Sequence, residues 1–278
     1  MKLSEIRQEA RTDLKGLWIK TAVISFIYLV IFFVISFIQT LFRNNDLIYL
    51  LMTIISLVLM IPLAVGLLYT LIKANNKEEI KVFDFITIGF KNFAKFWKIS
   101  LRMLLKVLPQ FILTVIFAVA MVIGYYGLAI SGFFLALAFN GVIFTETIKF
   151  YLGLLIVGGI GYIVMIFVLL PKFLSFAASY LISYDNPELS PKECVEKSAK
   201  LMEGKRWKLF CLYLSFIGWA FILAFIYAVF IQTTPYTIIP TIILYIGTSF
   251  LLPYMVMSFI IFYKKTSSST QEDTVKSE

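Results

Sequence analysis

The chain has no histidine, so the side chain that most often serves as general base, metal ligand and near-neutral pH switch is missing. It has two cysteines, Cys194 and Cys211. Both fall on or near the side assigned below as cytoplasmic, where thiols stay reduced, so no disulfide is expected. Without histidine partners they make no zinc site. Cys211 stands where a lipidated juxtamembrane cysteine can stand, but a small apolar residue near a helix end is the simpler reading. Charge is also scarce. Charged residues make up 15% of the chain against 60% hydrophobic, which excludes an ordinary soluble domain. The sequence lacks a Walker loop, a dinucleotide fingerprint, a nucleophile elbow and any metal-ligand cluster. Neither an enzyme nor a cofactor is expected. The net charge of +9 does not call for nucleic acid, because no binding motif accompanies it and anionic lipid is partner enough.

What the chain does have is apolar length. Six stretches, at about 21–42, 47–72, 107–130, 150–170, 209–231 and 240–263, each run 21 residues or more without a charged residue. About 20 apolar residues in a helix cross a hydrocarbon core of about 30 Å. Twenty-three of the 25 Lys and Arg lie in alternate segments, 1–20, 73–106, 172–208 and 264–278, and the other side holds only Arg43 and Lys149. Basic residues stay cytoplasmic, which predicts both termini inside. The polar residues ahead of a long first span read as a retained anchor rather than a cleaved signal peptide. Lys outnumbers Arg by 20 to 5, and Ile and Phe abound. That bias leans towards an AT-rich bacterial genome, hence a bacterial plasma membrane. The expected fold is all-α: a polytopic bundle of six transmembrane helices forming a single integral domain over 1–265, with a disordered polar tail at 266–278.

Three cytoplasmic segments read as amphipathic interfacial helices. In 3–20, Leu3, Ile6, Ala10, Leu14 and Leu17 recur at three- and four-residue steps. In 73–106, Phe83, Phe85, Phe90, Phe93, Phe96 and Trp97 interleave with Lys91, Lys95 and Lys98, a mixture suited to the headgroup level. In the third, Asp185-Asn186-Pro187 is a turn. Ser190, Pro191 and Glu193 then fit a capped helix start that runs to Gly204. The candidate lipid-interface residues are Trp18, Lys20, Lys91, Lys95, Trp97, Lys98, Lys205, Arg206, Trp207 and Lys208. Each segment carries Gly, Trp and Lys before an odd-numbered span, which suggests a threefold repeat over 1–72, 73–170 and 171–265. Trp and Lys also gather at any inside-to-membrane junction.

Inside the spans no ionisable residue marks a transport site. The neutral polar residues Gln39, Thr53, Ser56, Gln110, Thr114, Ser215, Thr248, Ser249 and Ser258 are expected to bond backbone or a neighbouring helix. Small residues should set helix packing: Ala120 and Gly124 on span three, Gly158 and Gly161 on span four, and Ala220, Ala224 and Ala228 on span five. Pro62, Pro109, Pro171, Pro240 and Pro253 should kink or end spans. The stretch 131–147 either prolongs span three, lies on the outer leaflet or re-enters the membrane.

The run Ser4–Arg11 leading to Leu14-Lys15-Gly16, the segment from Asp185-Asn186-Pro187 through Ser198 to Met202-Glu203-Gly204-Lys205, the run Phe210 to Ser215-Phe216-Ile217-Gly218-Trp219, and Pro253-Tyr254 with Phe262-Tyr263 together resemble the bacterial integral-membrane family catalogued as domain of unknown function 975. The chain is also distantly similar to the membrane domain attached to some glycerophosphodiester phosphodiesterases. The resemblance covers nearly the whole chain and implies the fold and a bacterial source, with no catalytic residue to carry over. The expected role is a non-enzymatic plasma-membrane protein that engages anionic lipid or a membrane partner, in envelope maintenance or protection from membrane-active peptides. The alternative is a permease or exporter component for a small or amphipathic solute. An intramembrane enzyme ranks third.

Overall fold

The computed structural model describes residues 2–137, 145–233 and 238–275, with the backbone alone described at 132–137, 145, 233 and 270–275. Among them the regular elements are all helices: α1 Leu3–Asp13, α2 Trp18–Leu41, α3 Asp46–Asn75, α4 Asp84–Lys91, α5 Phe93–Leu137, α6 Thr145–Phe176, α7 Ser179–Asp185, α8 Pro191–Leu201, α9 Arg206–Thr233 and α10 Ile238–Val275. Six stretches are long and apolar enough to cross a membrane: Trp18–Leu41, Asp46–Asn75, Phe93–Ser131, Glu146–Asp185, Arg206–Gln232 and Ile238–Ser269. The expected all-α architecture is present among the described residues, with six helical stretches long and apolar enough to span. Its cause is local, because hydrocarbon offers the backbone no partner and only a helix satisfies a lone apolar segment from within.

Four prolines, Pro62, Pro109, Pro171 and Pro253, lie inside α3, α5, α6 and α10 rather than ending them. A ring removes one hydrogen bond, whereas stopping a helix in an apolar medium strands several. The spans also reach beyond their apolar runs. α5 is one helix from Phe93 to Leu137, so the start of 131–147 prolongs span three, and 138–144 lies outside the described residues. α10 continues to Val275, so 266–275 is helical where a disordered tail was expected. Lys205 Nζ holds this extension by donating to the Thr266 carbonyl at 3.3 Å and Ser269 Oγ at 3.2 Å, and Ser268 Oγ donates to the Lys264 carbonyl at 3.0 Å.

The contacts gather into two compact units, Met1–Leu101 with Ala177–Glu278, and Arg102–Phe176. Short helices followed by two long ones recur three times in the element order.

In the first unit α10 packs against α1, α2, α3, α8 and α9, and α3 against α2, α4 and α7. Ile6, Leu14, Ile24, Leu71, Phe85, Phe96 and Phe262 are fully buried. α1 therefore presses its apolar residues Ile6 and Ala10 onto protein. α3 and α4 cross with backbones in contact: a Cβ on Gly89 would stand 2.6 Å from the Pro62 carbonyl oxygen, and one on Gly66 would meet the Phe85 carbonyl oxygen.

In the second unit the described part of α5 meets α6 at small residues. A Cβ on Gly124 would lie 2.5 Å from Leu155 N, and one on Gly158 would lie 2.5 Å from Met121 N and 3.0 Å from the Ala120 carbonyl carbon. A Cβ on Gly161 would strike the Phe117 ring. Such gaps let helices approach closely enough for dispersion and backbone contacts to act without a hydrophobic drive.

Candidate anion cleft

Five junctions meet at one end of the first unit and are tied by polar contacts. Asn75 Nδ2, closing α3, donates to Asp13 Oδ2 at the end of α1 at 2.7 Å. Lys264 Nζ of α10 donates to Asn76 Oδ1 at 2.7 Å, and the Tyr263 hydroxyl donates to Asp185 Oδ2 at 2.7 Å. Lys265 pairs with Glu9. Lys95 Nζ, in the first turn of α5, donates to the Pro187 carbonyl at 2.7 Å and more distantly to the Ser183 carbonyl at 3.5 Å.

Local sequence explains how the turn beside Lys95 is held. Ser190 Oγ accepts from Glu193 N at 3.3 Å, and Glu193 Oε2 accepts from Ser190 N at 2.8 Å. Pro191 takes the first helical position of α8, and Gly204 follows the helix at φ +70°. This is the capping box read from the sequence. The side-chain and backbone hydrogen bonds from Ser190 hold the Glu193 carboxyl below its usual range. Burial pushes the neighbouring Cys194 thiol up, which leaves it protonated and inert.

Between α3, α4, the start of α5 and α7 lies a cleft of about 470 Å³. Lys73, Lys91 and Lys95 stand on its wall with Asn92, Thr87, Tyr184 and Ser183, and Asp84 is its acid. Asp84 Oδ2 accepts from Lys81 N at 3.1 Å. Lys91 is exposed and Lys73 half-buried. Ser183 is 3% exposed, and its Oγ, beside the Tyr69 hydroxyl, makes no hydrogen bond of standard geometry. Behind the cleft is a polar and aromatic backing. The Tyr69 hydroxyl donates to the Tyr180 carbonyl at 3.1 Å, and the Tyr180 hydroxyl lies 2.6 Å from Ser100 Oγ. The Tyr69 ring stacks edge-on against Phe96 and Tyr184 at 5.0 and 4.9 Å.

The family model for Protein of unknown function (DUF975) matches residues 1–270. The chain belongs to this family. No curated protein and no solved structure matches it, and the similarity to glycerophosphodiester phosphodiesterases is not shown.

The structure divides the candidate residues of this DUF975 chain. Lys20, Lys91, Lys98 and Lys208 are exposed, as is Trp207 at 70%. The others are wholly or partly covered. Trp18 is half-buried with its ring 6.0 Å from that of Tyr254. Trp97 Nε1 donates to the Val58 carbonyl at 3.1 Å. Lys95 and Lys205 hold carbonyls as described, and Arg206 is half-buried at the start of α9. Of the aromatics in 83–97, Phe85 and Phe96 belong to the core, while Phe83 and Phe90 face outward.

Among the packing residues, Ala120, Gly124, Gly158 and Gly161 stand where α5 and α6 touch. Ala220, Ala224 and Ala228 are exposed on α9. α9 instead offers Leu223 to Gly247 of α10. Small residues every four permit a close approach but do not decide which face is approached.

Most neutral polar residues bond their own helix. Thr53, Ser56, Thr114, Ser215, Ser249 and Ser258 donate to backbone carbonyls three or four residues back, and Gln39 Nε2 reaches Thr53 Oγ1 at 3.3 Å. Sequence reading missed Lys73, Ser183, Tyr184 and the Tyr69–Tyr180–Ser100 backing. Lys73 in the last turn of a span was the one visible signal.

Proposed function

We propose that this DUF975 member is a non-enzymatic multi-pass protein of a bacterial plasma membrane, with both termini cytoplasmic and a basic cytoplasmic end that engages anionic lipid. The observation that carries the reading is the exposure of Lys20, Lys98, Trp207 and Lys208 where the polar junctions gather, beside helices that display residues such as Phe221 and Phe225, each 70% exposed. In water so much apolar surface would drive aggregation; in a bilayer it is solvated. Lysines at its edge then meet headgroups, with rings beside them at the interfacial depth. Envelope maintenance or protection from membrane-active peptides are the roles this chemistry suits.

The test replaces Lys20, Lys98 and Lys208 by Gln in the full chain. Phosphatidylglycerol retained against phosphatidylcholine is then measured by native mass spectrometry. Each lysine lost should weaken anionic-lipid retention about fivefold, from about 1 kcal/mol per base near an anionic surface. Retention equal to that of the unaltered chain would overturn the proposal. Solute uptake by proteoliposomes would favour the permease reading instead.

A further inference from the structure

We infer that the cleft between α3, α4, α5 and α7 is a binding site for a phosphate group. The inference rests on the lipid-engaging reading and sharpens it, from a diffuse basic end to one defined seat.

Three ammonium groups, on Lys73, Lys91 and Lys95, line one cleft of about 470 Å³ with a single carboxylate, Asp84. They come from three different helices, α3, α4 and α5. That arrangement surrounds a guest, whereas lysines along one solvated face would not. Lys95 is fixed by the Pro187 carbonyl at 2.7 Å, so its charge stays in the wall rather than roaming. Asp84 is held by the Lys81 amide. Among the described residues the Lys73 and Lys91 ammonium groups make no ion pair or hydrogen bond. Like charges gathered in this way repel one another unless an anion sits among them.

A second observation points the same way. Ser183 is 3% exposed, lines the cleft, and holds its Oγ beside the Tyr69 hydroxyl and the Cys194 thiol without a hydrogen bond of standard geometry to either. A buried hydroxyl without a proper partner leaves its desolvation uncompensated. A phosphate oxygen in the cleft would accept its proton. Asn92, whose Nδ2 also donates to the Ile88 carbonyl at 3.2 Å, and Tyr184, whose hydroxyl lies beside Asn76 and Glu78, stand at the wall. A tetrahedral anion with several acceptor oxygens meets this spread of donors better than a planar carboxylate, which offers two. Lys73 stands in the last turn of the apolar helix α3, so the seat is at the level where that helix leaves hydrocarbon. The phosphate belongs either to a lipid headgroup or to a soluble phosphate compound.

The experiment uses the full chain in nanodiscs and two arms. One arm titrates phosphatidylglycerol into phosphatidylcholine discs and reads bound lipid. The other holds discs of phosphatidylcholine alone and titrates inorganic phosphate or pyrophosphate by calorimetry. The variant Lys73→Gln with Lys91→Gln removes the free cleft charges, and Lys197→Gln with Lys200→Gln, both exposed on α8 and outside the cleft, serves as the matched control. Ser183→Ala tests the hydroxyl without touching charge.

Saturable binding is expected in one arm. The cleft variant should weaken it about 25-fold and Ser183→Ala several-fold, with the control near the unaltered chain. Binding in the lipid arm makes the guest a headgroup. Binding in the soluble arm alone keeps the site and removes the lipid reading. Equal losses from cleft and control variants would overturn the site while keeping the diffuse lipid reading. No change from the cleft variant would overturn the site, while the lipid reading stands or falls with the Lys20, Lys98 and Lys208 replacements.

Discussion

Asp13 shows how one side chain reports its surroundings. It accepts a hydrogen bond from Asn75 at 2.7 Å, yet burial, then the nearby Glu9 carboxylate, hold its carboxyl above the usual range despite Lys264, Lys77 and Asn75. A raised folded pKa means the folded state keeps the proton longer than the unfolded chain. The resulting stabilisation is complete below the ordinary aspartate value of about 3.9 and lost as pH rises through the folded value. At neutral pH the charge is therefore a cost. Asp13→Asn keeps an acceptor for Asn75 and drops the charge. Its thermal midpoint at pH 7 should equal or exceed that of the unaltered chain, and the midpoint should vary less with pH just above 4. A lower midpoint at pH 7 would show that the carboxylate is favourable there. Residue-scale features of short range were visible in the sequence. The Ser190–Glu193 capping box depends on neighbours three apart. The part played by Lys95 was not visible, because its acceptor, Pro187, lies far along the chain.

At the scale of elements, the crossing of α3 and α4 depends on two glycines that each admit the other helix's backbone. Gly89→Ala places a methyl 2.6 Å from the Pro62 carbonyl oxygen, where neither backbone can yield cheaply. The expected loss is about 1–3 kcal/mol, seen as a lower denaturation midpoint in detergent. Ala224→Leu on the exposed face of α9 should leave the midpoint unchanged. A fall for Ala224→Leu equal to that for Gly89→Ala would mean the α9 stripe is packed after all. Small-residue spacing was readable for α5 and α6 and misleading for α9. The physical reason is that a groove is a property of one helix, whereas a contact needs a ridge on another.

For the whole molecule, the basic asymmetry makes a prediction that contacts do not. With both termini inside, the turn between α2 and α3 faces out, and the segment after α3 faces in. In cells carrying the chain with Cys211 replaced by Ala, Asn45→Cys should react with a membrane-impermeant maleimide added outside, and Lys81→Cys should not. Labelling of Lys81→Cys in intact cells would reverse the orientation and remove the cytoplasmic lipid reading with it.

The number and place of the apolar helices and the segregation of lysine were already determined by the sequence. Each is a sum over contiguous residues, and partition into hydrocarbon reads such sums directly. Only the tertiary structure decided which lysines are engaged and which are free. It also decided that α1 docks on α10, and that Lys73, Lys91, Lys95 and Ser183 share one cleft. Those outcomes depend on the distances between segments remote in the chain, and helical periodicity places a residue on a face without saying what that face will meet.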